Sequence, residues 1–241
     1  GVLLVLAAAA VEVAVRGARA AVVPLALLVP GALGAAYGPG RCEAETVYHC
    51  AQVQTDPARE SGRVLVLESL RHSYVDLDVP TGLEFQFVQA LSGVADTSVP
   101  AGEPLEAYHL GGGGLTFPRY LERVRPGTVS VVSEIDRGVL AIDERDLGLV
   151  TGPAMDVRIE DARLGLRSLE IDSRDLVVGD AFGGISVPWH LTTREALTDV
   201  QRVVRPGGIY AANLTDFAPL SSARAELATT RTVFEHVAVA P

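Results

Sequence analysis

The sequence predicts an α/β fold with a doubly wound, mostly parallel sheet, preceded by a small β-hairpin region and an apolar N-terminal segment. Beyond Pro104, strand-like stretches alternate with stretches of helical spacing, an order typical of parallel sheets that carry helices on both faces. Two strand stretches, DLVVGD and GIYAANL, are largely apolar, as expected for strands buried on both sides. We therefore divide the chain into residues 1–37, 38–97 and 98–241.

The first region, residues 1–37, is almost entirely apolar. Val2 to Val15 carries one charge, Glu12, and after two arginines a second apolar stretch runs from Ala20 to Ala36. This stretch is near the ~20 residues that span a bilayer, and spanning helices tolerate proline. We predict the end of a membrane region, with the following domain in the cytoplasm; a buried, alanine-rich helical pair in a cytoplasmic protein is the alternative.

The second region, residues 38–97, is predicted to hold a linker and a β-hairpin. Glycine and proline punctuate residues 37–62, which favours a linker. Arg63–Leu70 and Ser73–Asp78 then predict two strands around a short turn. The leucine and phenylalanine spacing from Gly82 to Val94 predicts a short helix.

The third region, residues 98–241, is predicted to form the nucleoside-binding α/β domain. The predicted strands are Leu105–Leu110, Thr128–Ile135, Asp156–Ile159, Asp175–Gly179, Gly208–Leu214 and Val233–Val239. The predicted helices include Leu115–Val124 and Thr192–Val204.

The composition excludes several kinds of chemistry. All 20 basic residues are arginine, so no side-chain amine is available for a Schiff base, a pyridoxal phosphate anchor or a phosphate-loop lysine. The net charge of −10 argues against a nucleic-acid partner. Cys42 and Cys50 have no companion pair, so we expect no zinc site, and we favour free thiols over a disulfide.

The strongest local feature is LEAYHLGGGGLTFPRYL, residues 105–121. A strand ends at Leu110, the glycines Gly111 to Gly114 follow, and a helix begins near Leu115. Glycine allows a tight turn and a close approach of the backbone to a ligand, and the N–H groups of a helix start attract its polar part. Alone, the glycine run would fit a plain tight turn equally well.

Acids at the carboxyl ends of the following strands make this turn part of a predicted site. Glu134 ends TVSVVSE and can accept both hydroxyls of a ribose. Asp161 and Ala162, in IEDAR, are placed to read an adenine amino edge. Asp180 ends DLVVGD and points into the same crevice, since ligands of open α/β sheets lie beyond the carboxyl ends of strands. This set favours an adenosyl-sulfonium compound over a dinucleotide.

Five motifs together resemble one family. They are LGGGG (110–114), SEID (133–136), EDA (160–162), GDAFGG (179–184) and RPGG (205–208). Residues 63–240 are similar to spermidine-synthase-like proteins, the aminopropyltransferases built on the Rossmann-like class I methyltransferase fold. The apolar lead-in resembles fused members in which membrane helices precede the synthase domain.

The resemblance implies a role for each predicted site residue. Gly111, Gly112 and Gly113 would contact the donor, which is decarboxylated S-adenosylmethionine or S-adenosylmethionine. Glu134 would bind its ribose, and Asp161 with Ala162 its adenine. Asp180 would be the catalytic acid that orients and deprotonates the attacking amine. The implied partner is a small-molecule amine acceptor, and no metal is implied.

Three further residues are candidates for the acceptor side of the site. The resemblance implies glutamine after Tyr48, where the sequence has His49. Trp189 and His190 follow the motif that contains Asp180 and form either an acceptor wall or plain loop packing. A homo-oligomer and membrane attachment through the N-terminal segment stay open.

The sequence also departs from the family pattern. Where the resemblance implies aspartates that hold amine groups, it has Gly114 and Gly183, and the expected Tyr-His pair is replaced around Leu83, Glu84 and Phe85. The donor's nucleoside half is thus preserved while the polyamine-gripping half is mostly absent, which argues against putrescine as the acceptor. An adenosylmethionine-dependent methyltransferase and a non-catalytic nucleoside-sensing domain are the alternatives.

Overall fold

A computed structural model describes residues 42–240, and the structural statements below concern these residues. The membrane region predicted for residues 1–37 lies outside them. Within the described part, no helix is long and apolar enough to cross a membrane.

The described chain begins with a four-stranded antiparallel sheet in the order β1-β2-β3-β4. Its strands are β1 (Ala44–Glu45), β2 (Cys50–Asp56), β3 (Arg59–Leu67) and β4 (Leu70–Asp76). The predicted hairpin is therefore present as β3 and β4, but the prediction of a linker up to residue 62 is wrong where β1, β2 and the start of β3 lie. Pro57 lies in the turn after β2 and Gly62 lies inside β3, where they do not stop the strands from pairing.

The predicted free thiols are also wrong. Both cysteines, Cys42 and Cys50, are disulfide-bonded. Sequence spacing alone favours neither state, because it does not show whether two cysteines face each other.

The remaining strands form a five-stranded parallel sheet in the order β7-β6-β5-β8-β9. They are β5 (Glu106–Leu110), β6 (Val129–Glu134), β7 (Met155–Ile159), β8 (Arg174–Gly179) and β9 (Val204–Ala212). The order reverses at β5, which pairs with β6 on one side and β8 on the other. Such a reversal opens a crevice at the carboxyl ends of the strands.

Residues 42–240 also form six α-helices. They are α1 (Gln86–Ser98), α2 (Thr116–Val124), α3 (Arg137–Asp146), α4 (Ala162–Ser168), α5 (Arg194–Val203) and α6 (Ser221–Thr230), with a 3-10 turn at Trp189–Leu191. One apolar cluster packs α1 and α2 on the parallel sheet, and another packs α4 and α5 on its opposite face. The predicted doubly wound α/β fold is confirmed.

One predicted strand is wrong. Val233–Val239 forms turns and irregular chain after α6. The apolar alternation in VFEHVAV has a different cause, since Phe234 packs its ring against Tyr210 at 5.8 Å between ring centroids. Burial of one side chain against the core therefore explains part of a pattern that sequence reasoning assigned to strand pairing.

The small sheet packs on the parallel domain through α3. A cluster of buried side chains joins Leu65, Leu67 and Val75 of the small sheet to Val139 and Ile142 of α3. This contact holds β4 close to the carboxyl ends of the parallel strands, where the predicted site residues lie.

Candidate active site

The glycine loop joins β5 to α2 and lies against the segment that follows β8. Gly111 has a φ of +93°, and a Cβ on it would lie 2.8 Å from the backbone oxygen of Asp180. The backbone N–H of Asp180 in turn donates to the carbonyl of Leu110 at 3.0 Å. Only glycine fits at this position, because a side chain would have to push the two loops apart.

Glu134, at the end of β6, is buried and held by the glycine loop. Its Oε2 accepts hydrogen bonds from the backbone N–H groups of Gly112 at 2.9 Å and Gly113 at 3.3 Å. Its Oε1 accepts from the N–H of Asp136 at 2.8 Å. A carboxylate therefore occupies the loop N–H groups that a pyrophosphate would need, and its charge repels phosphate. This arrangement disfavours a dinucleotide.

Asp136 links this site to the small sheet. It is fully buried and caps α3 by accepting from the N–H of Gly138 at 2.8 Å. Its second oxygen accepts from the Thr46 hydroxyl and from the N–H of Tyr48. Both carboxylate oxygens of Asp136 therefore have structural partners, one in α3 and the other in the small sheet region.

Asp161 lies just beyond β7 and makes two kinds of contact. Its Oδ1 caps α4 by accepting from the N–H groups of Arg163 at 2.9 Å and Leu164 at 3.2 Å. Its Oδ2 lies 3.0 Å from Nε2 of His190. The neighbouring Ala162 is buried, and its carbonyl accepts from the Tyr108 hydroxyl at 2.7 Å. Sequence reasoning did not foresee the contact between Asp161 and His190.

Asp180 lies at the carboxyl end of β8, where burial changes its acidity. Desolvation raises the pKa of Asp180 to about 6, although a hydrogen bond from Asn213 acts in the opposite direction. The Asn213 amide donates to Oδ1 at 2.9 Å. A carboxyl group with a pKa near neutrality is suited to take up a proton from a reacting group.

A crevice opens in front of Asp180, between the glycine loop, β4, α1 and α2. Its lining residues are His72, Ser73, Tyr74, Glu84, Phe85, Phe87, Val88, Leu91, His109, Gly111, Gly112, Thr116, Phe117, Pro118, Val178 and Asp180. Burial lowers the pKa of His109 to about 3, so its imidazole is neutral near pH 7. His109 therefore forms part of the wall.

The three candidate acceptor residues lie outside this lining. His49 lies next to His72, which does line the crevice, with 6.3 Å between the two ring centroids. Trp189 is 77% exposed, and His190 faces Asp161. The residues that sequence reasoning missed are Asn213, His72 and Ser73. No motif surrounds His72 and Ser73, whereas Asn213 follows the carboxyl end of β9, at the same sheet edge as Asp180. Among residues 42–240, no group of three or more His, Cys, Asp or Glu side chains is arranged to hold a metal ion.

Solved structures define the class of fold. Human methyltransferase-like protein 13, solved in complex with SAH, has a TM-score of 0.55 and 18% identity, covering 63% of this chain and 74% of that one. A spermidine synthase in complex with the transition-state analogue AdoDATO has a TM-score of 0.64 and 17% identity over 79% of this chain and 66% of that one. The protein therefore has a methyltransferase-like α/β fold.

Closer relatives make the likeness more specific. A probable spermidine synthase from Corynebacterium glutamicum has a TM-score of 0.74 and 29% identity, covering 80% of this chain and 70% of that one. Polyamine aminopropyltransferases from Chromobacterium violaceum and Vibrio vulnificus are 26% and 32% identical over 58% and 52% of this chain. In sequence and fold, the protein is spermidine synthase-like.

The extent of the match is partial. The chain covers 53% of the Chromobacterium violaceum protein and 42% of the Vibrio vulnificus protein, so it spans about half the length of these curated relatives. No family model matches the chain.

Proposed function

We propose that this protein is an aminopropyltransferase that binds decarboxylated S-adenosylmethionine and transfers its aminopropyl group to a small-molecule amine. The observation that carries the proposal is Asp180, a carboxyl group with a pKa raised to about 6 beside the glycine loop. The likeness to polyamine aminopropyltransferases supports the same reaction.

The nucleoside half of the donor fits the end of the sheet that carries Glu134 and Asp161. Glu134 would accept the ribose hydroxyls, in a place where its charge disfavours phosphate. Asp161 and the backbone at Ala162 would bind the adenine, with His190 giving way or reorienting as the amino group arrives. Gly111, Gly112 and Gly113 would follow the donor with backbone alone, which permits a close approach.

Asp180 supplies the acid–base chemistry of the reaction. The lone pair of the acceptor nitrogen forms a new C–N bond, the S–C bond of the sulfonium breaks with its electrons going to sulfur, and Asp180 takes the proton lost by nitrogen. Asn213 fixes the orientation of the carboxylate through Oδ1. Positioning supplies much of the remaining acceleration, because a neutral thioether is a good leaving group.

The test is release of methylthioadenosine from decarboxylated S-adenosylmethionine with a panel of amines. We expect the unmodified chain to release methylthioadenosine. Asp180→Asn should lower the rate of release at least about a hundredfold, within the range for a general base. Asp199→Asn is the matched control, because Asp199 lies on α5 paired with Arg167. Release of S-adenosylhomocysteine from S-adenosylmethionine would identify a methyltransferase, and silence with every amine would refute the catalytic proposal.

A further inference from the structure

We infer that the acceptor is a monoamine with an apolar body rather than a diamine. The inference rests on the proposed function and concerns the crevice in front of Asp180. It follows from the number of carboxylates in that crevice and from the apolar side chains that form part of its walls.

The crevice extends from the glycine loop toward the small sheet and α1. Gly111, Gly112 and Asp180 line it, whereas Glu134 and Asp161 do not. With the nucleoside bound at Glu134 and Asp161, the crevice is left for the transferred group and the acceptor.

The walls of this crevice combine apolar and polar side chains. The apolar side chains that line it are Phe85, Phe87, Val88, Leu91, Phe117, Pro118 and Val178. Val88, Leu91 and Val178 belong to the buried core, so they form a fixed surface. Burial of hydrocarbon against these side chains stabilises the bound acceptor, which favours an acceptor with an apolar body.

The charges of the reaction leave no partner for a second acceptor ammonium. Among the described residues that line the crevice, the carboxylates are Asp180 and Glu84. Asp180 takes the proton of the attacking nitrogen, and Glu84 can pair with the terminal ammonium of the donor. A diamine would bring a third amine group, and an ammonium group that is taken out of water without a carboxylate partner is costly.

The histidines of the crevice add no negative charge to these two carboxylates. Burial lowers the pKa of His109 and of His72, so both are neutral near pH 7. A neutral imidazole can accept a hydrogen bond, but it does not supply the negative charge that an ammonium group needs.

The glycine loop has no room for another acid. The Ser73 hydroxyl accepts a hydrogen bond from the N–H of Gly114 at 2.9 Å. A Cβ on Gly114 would lie 2.7 Å from the Cβ of Ser73, well inside van der Waals contact. The contact with β4 therefore fixes this loop position as glycine.

The experiment compares acceptors that differ in one amine group. Methylthioadenosine release is measured with 1-butylamine, 2-phenylethylamine and 1,4-diaminobutane at saturating decarboxylated S-adenosylmethionine. We expect kcat/KM for both monoamines to exceed that for the diamine by at least about tenfold, the effect of one modest charge-pairing difference. A preference for 1,4-diaminobutane would overturn the inference and leave the proposed function intact. Release with none of the three, nor with any other amine, would refute the proposed function and the inference with it.

A pair of variants isolates the role of charge. His72 lines the crevice and is half-buried, so His72→Asp adds a carboxylate there and His72→Asn adds a neutral side chain of the same size. We expect His72→Asp to raise the diamine-to-monoamine ratio of kcat/KM about tenfold and His72→Asn to leave that ratio near the unmodified value. An equal change in both variants would contradict the charge argument.

Discussion

At the scale of single residues, the acidity of Asp180 depends on its one side-chain partner. Asn213 donates to Oδ1 and so stabilises the carboxylate, which lowers a pKa that burial has raised. Replacing Asn213 by Leu should move the acid limb of the kcat/KM–pH profile upward by about one unit, because the carboxylate loses a charge-assisted hydrogen bond.

The direction in which the pH midpoint moves follows from the hydrogen bond between Asn213 and Asp180. Activity needs the carboxylate form, so it rises with pH through about 6, and the variant should need a higher pH for half-maximal activity. Thr215→Val, at an exposed position two residues further along, should leave the midpoint unchanged. An unchanged midpoint in Asn213→Leu would show that Asp180 does not set the profile.

Some positions of the site residues could be predicted from sequence and others could not. Glu134, Asp161 and Asp180 each follow a parallel strand, and the carboxyl ends of parallel strands share one edge of the sheet. Partners distant in the sequence give no local signal. Asn213 lies 33 residues from Asp180, and Ser73 lies 41 residues from Gly114, so only the folded chain brings them together.

At the scale of elements, α2 and α3 bring the half-buried Arg119 near the buried carboxyl group of Asp143. Both carboxylate oxygens of Asp143 are buried without a hydrogen-bond partner among the described residues, as are Nε and Nη2 of Arg119. Desolvation raises the pKa of Asp143 to about 8, and nearby Arg119 acts to lower it. The folded state therefore binds this proton more tightly than the unfolded state.

This pair predicts how stability changes with pH. The raised pKa stabilises the fold below the ordinary pKa near 4, and that stabilisation is lost as pH rises to about 8. Asp143→Asn should remove this loss, so the free energy of unfolding should fall less between pH 4 and 8, by roughly 5 kcal/mol. Urea unfolding across this range measures it.

An exposed acid on α2 supplies the control. Glu122 is exposed and is not among the groups that shift the pKa of Asp143, so Glu122→Gln should keep the pH dependence of the unmodified protein. Parallel stability curves for Asp143→Asn and the unmodified protein would contradict the assignment of a buried, protonated carboxyl group.

Periodicity predicted the elements unevenly. The five parallel strands were predicted to within a few residues. β5, β6 and β8 are largely buried, as expected inside a parallel sheet, whereas β7 and β9 are only partly buried and were recognised from their alternation with helices. The strand β2, CAQVQTD, was missed because its burial is partial and polar residues interrupt it. The disulfide at Cys42 and Cys50 was also missed, since it depends on the three-dimensional placement of two side chains.

At the scale of the whole molecule, ligand binding should be visible as stability. A ligand that binds only the folded state stabilises it in proportion to the logarithm of its concentration over Kd. Glu134 occupies the N–H groups of Gly112 and Gly113, so the same crevice edge should accept an adenosyl ligand and reject a dinucleotide with its negative pyrophosphate.

A thermal-shift comparison tests this discrimination. At about 100 times Kd, methylthioadenosine should raise Tm by roughly 5–10 °C for a domain of this size, whereas NAD at the same concentration should leave Tm unchanged. Glu134→Ala should abolish the shift with methylthioadenosine, and Glu122→Ala, an exposed acid on α2, should retain it. An equal shift with NAD would mean that Glu134 does not exclude phosphate, and no shift with either ligand would remove the nucleoside site on which the proposed transfer depends.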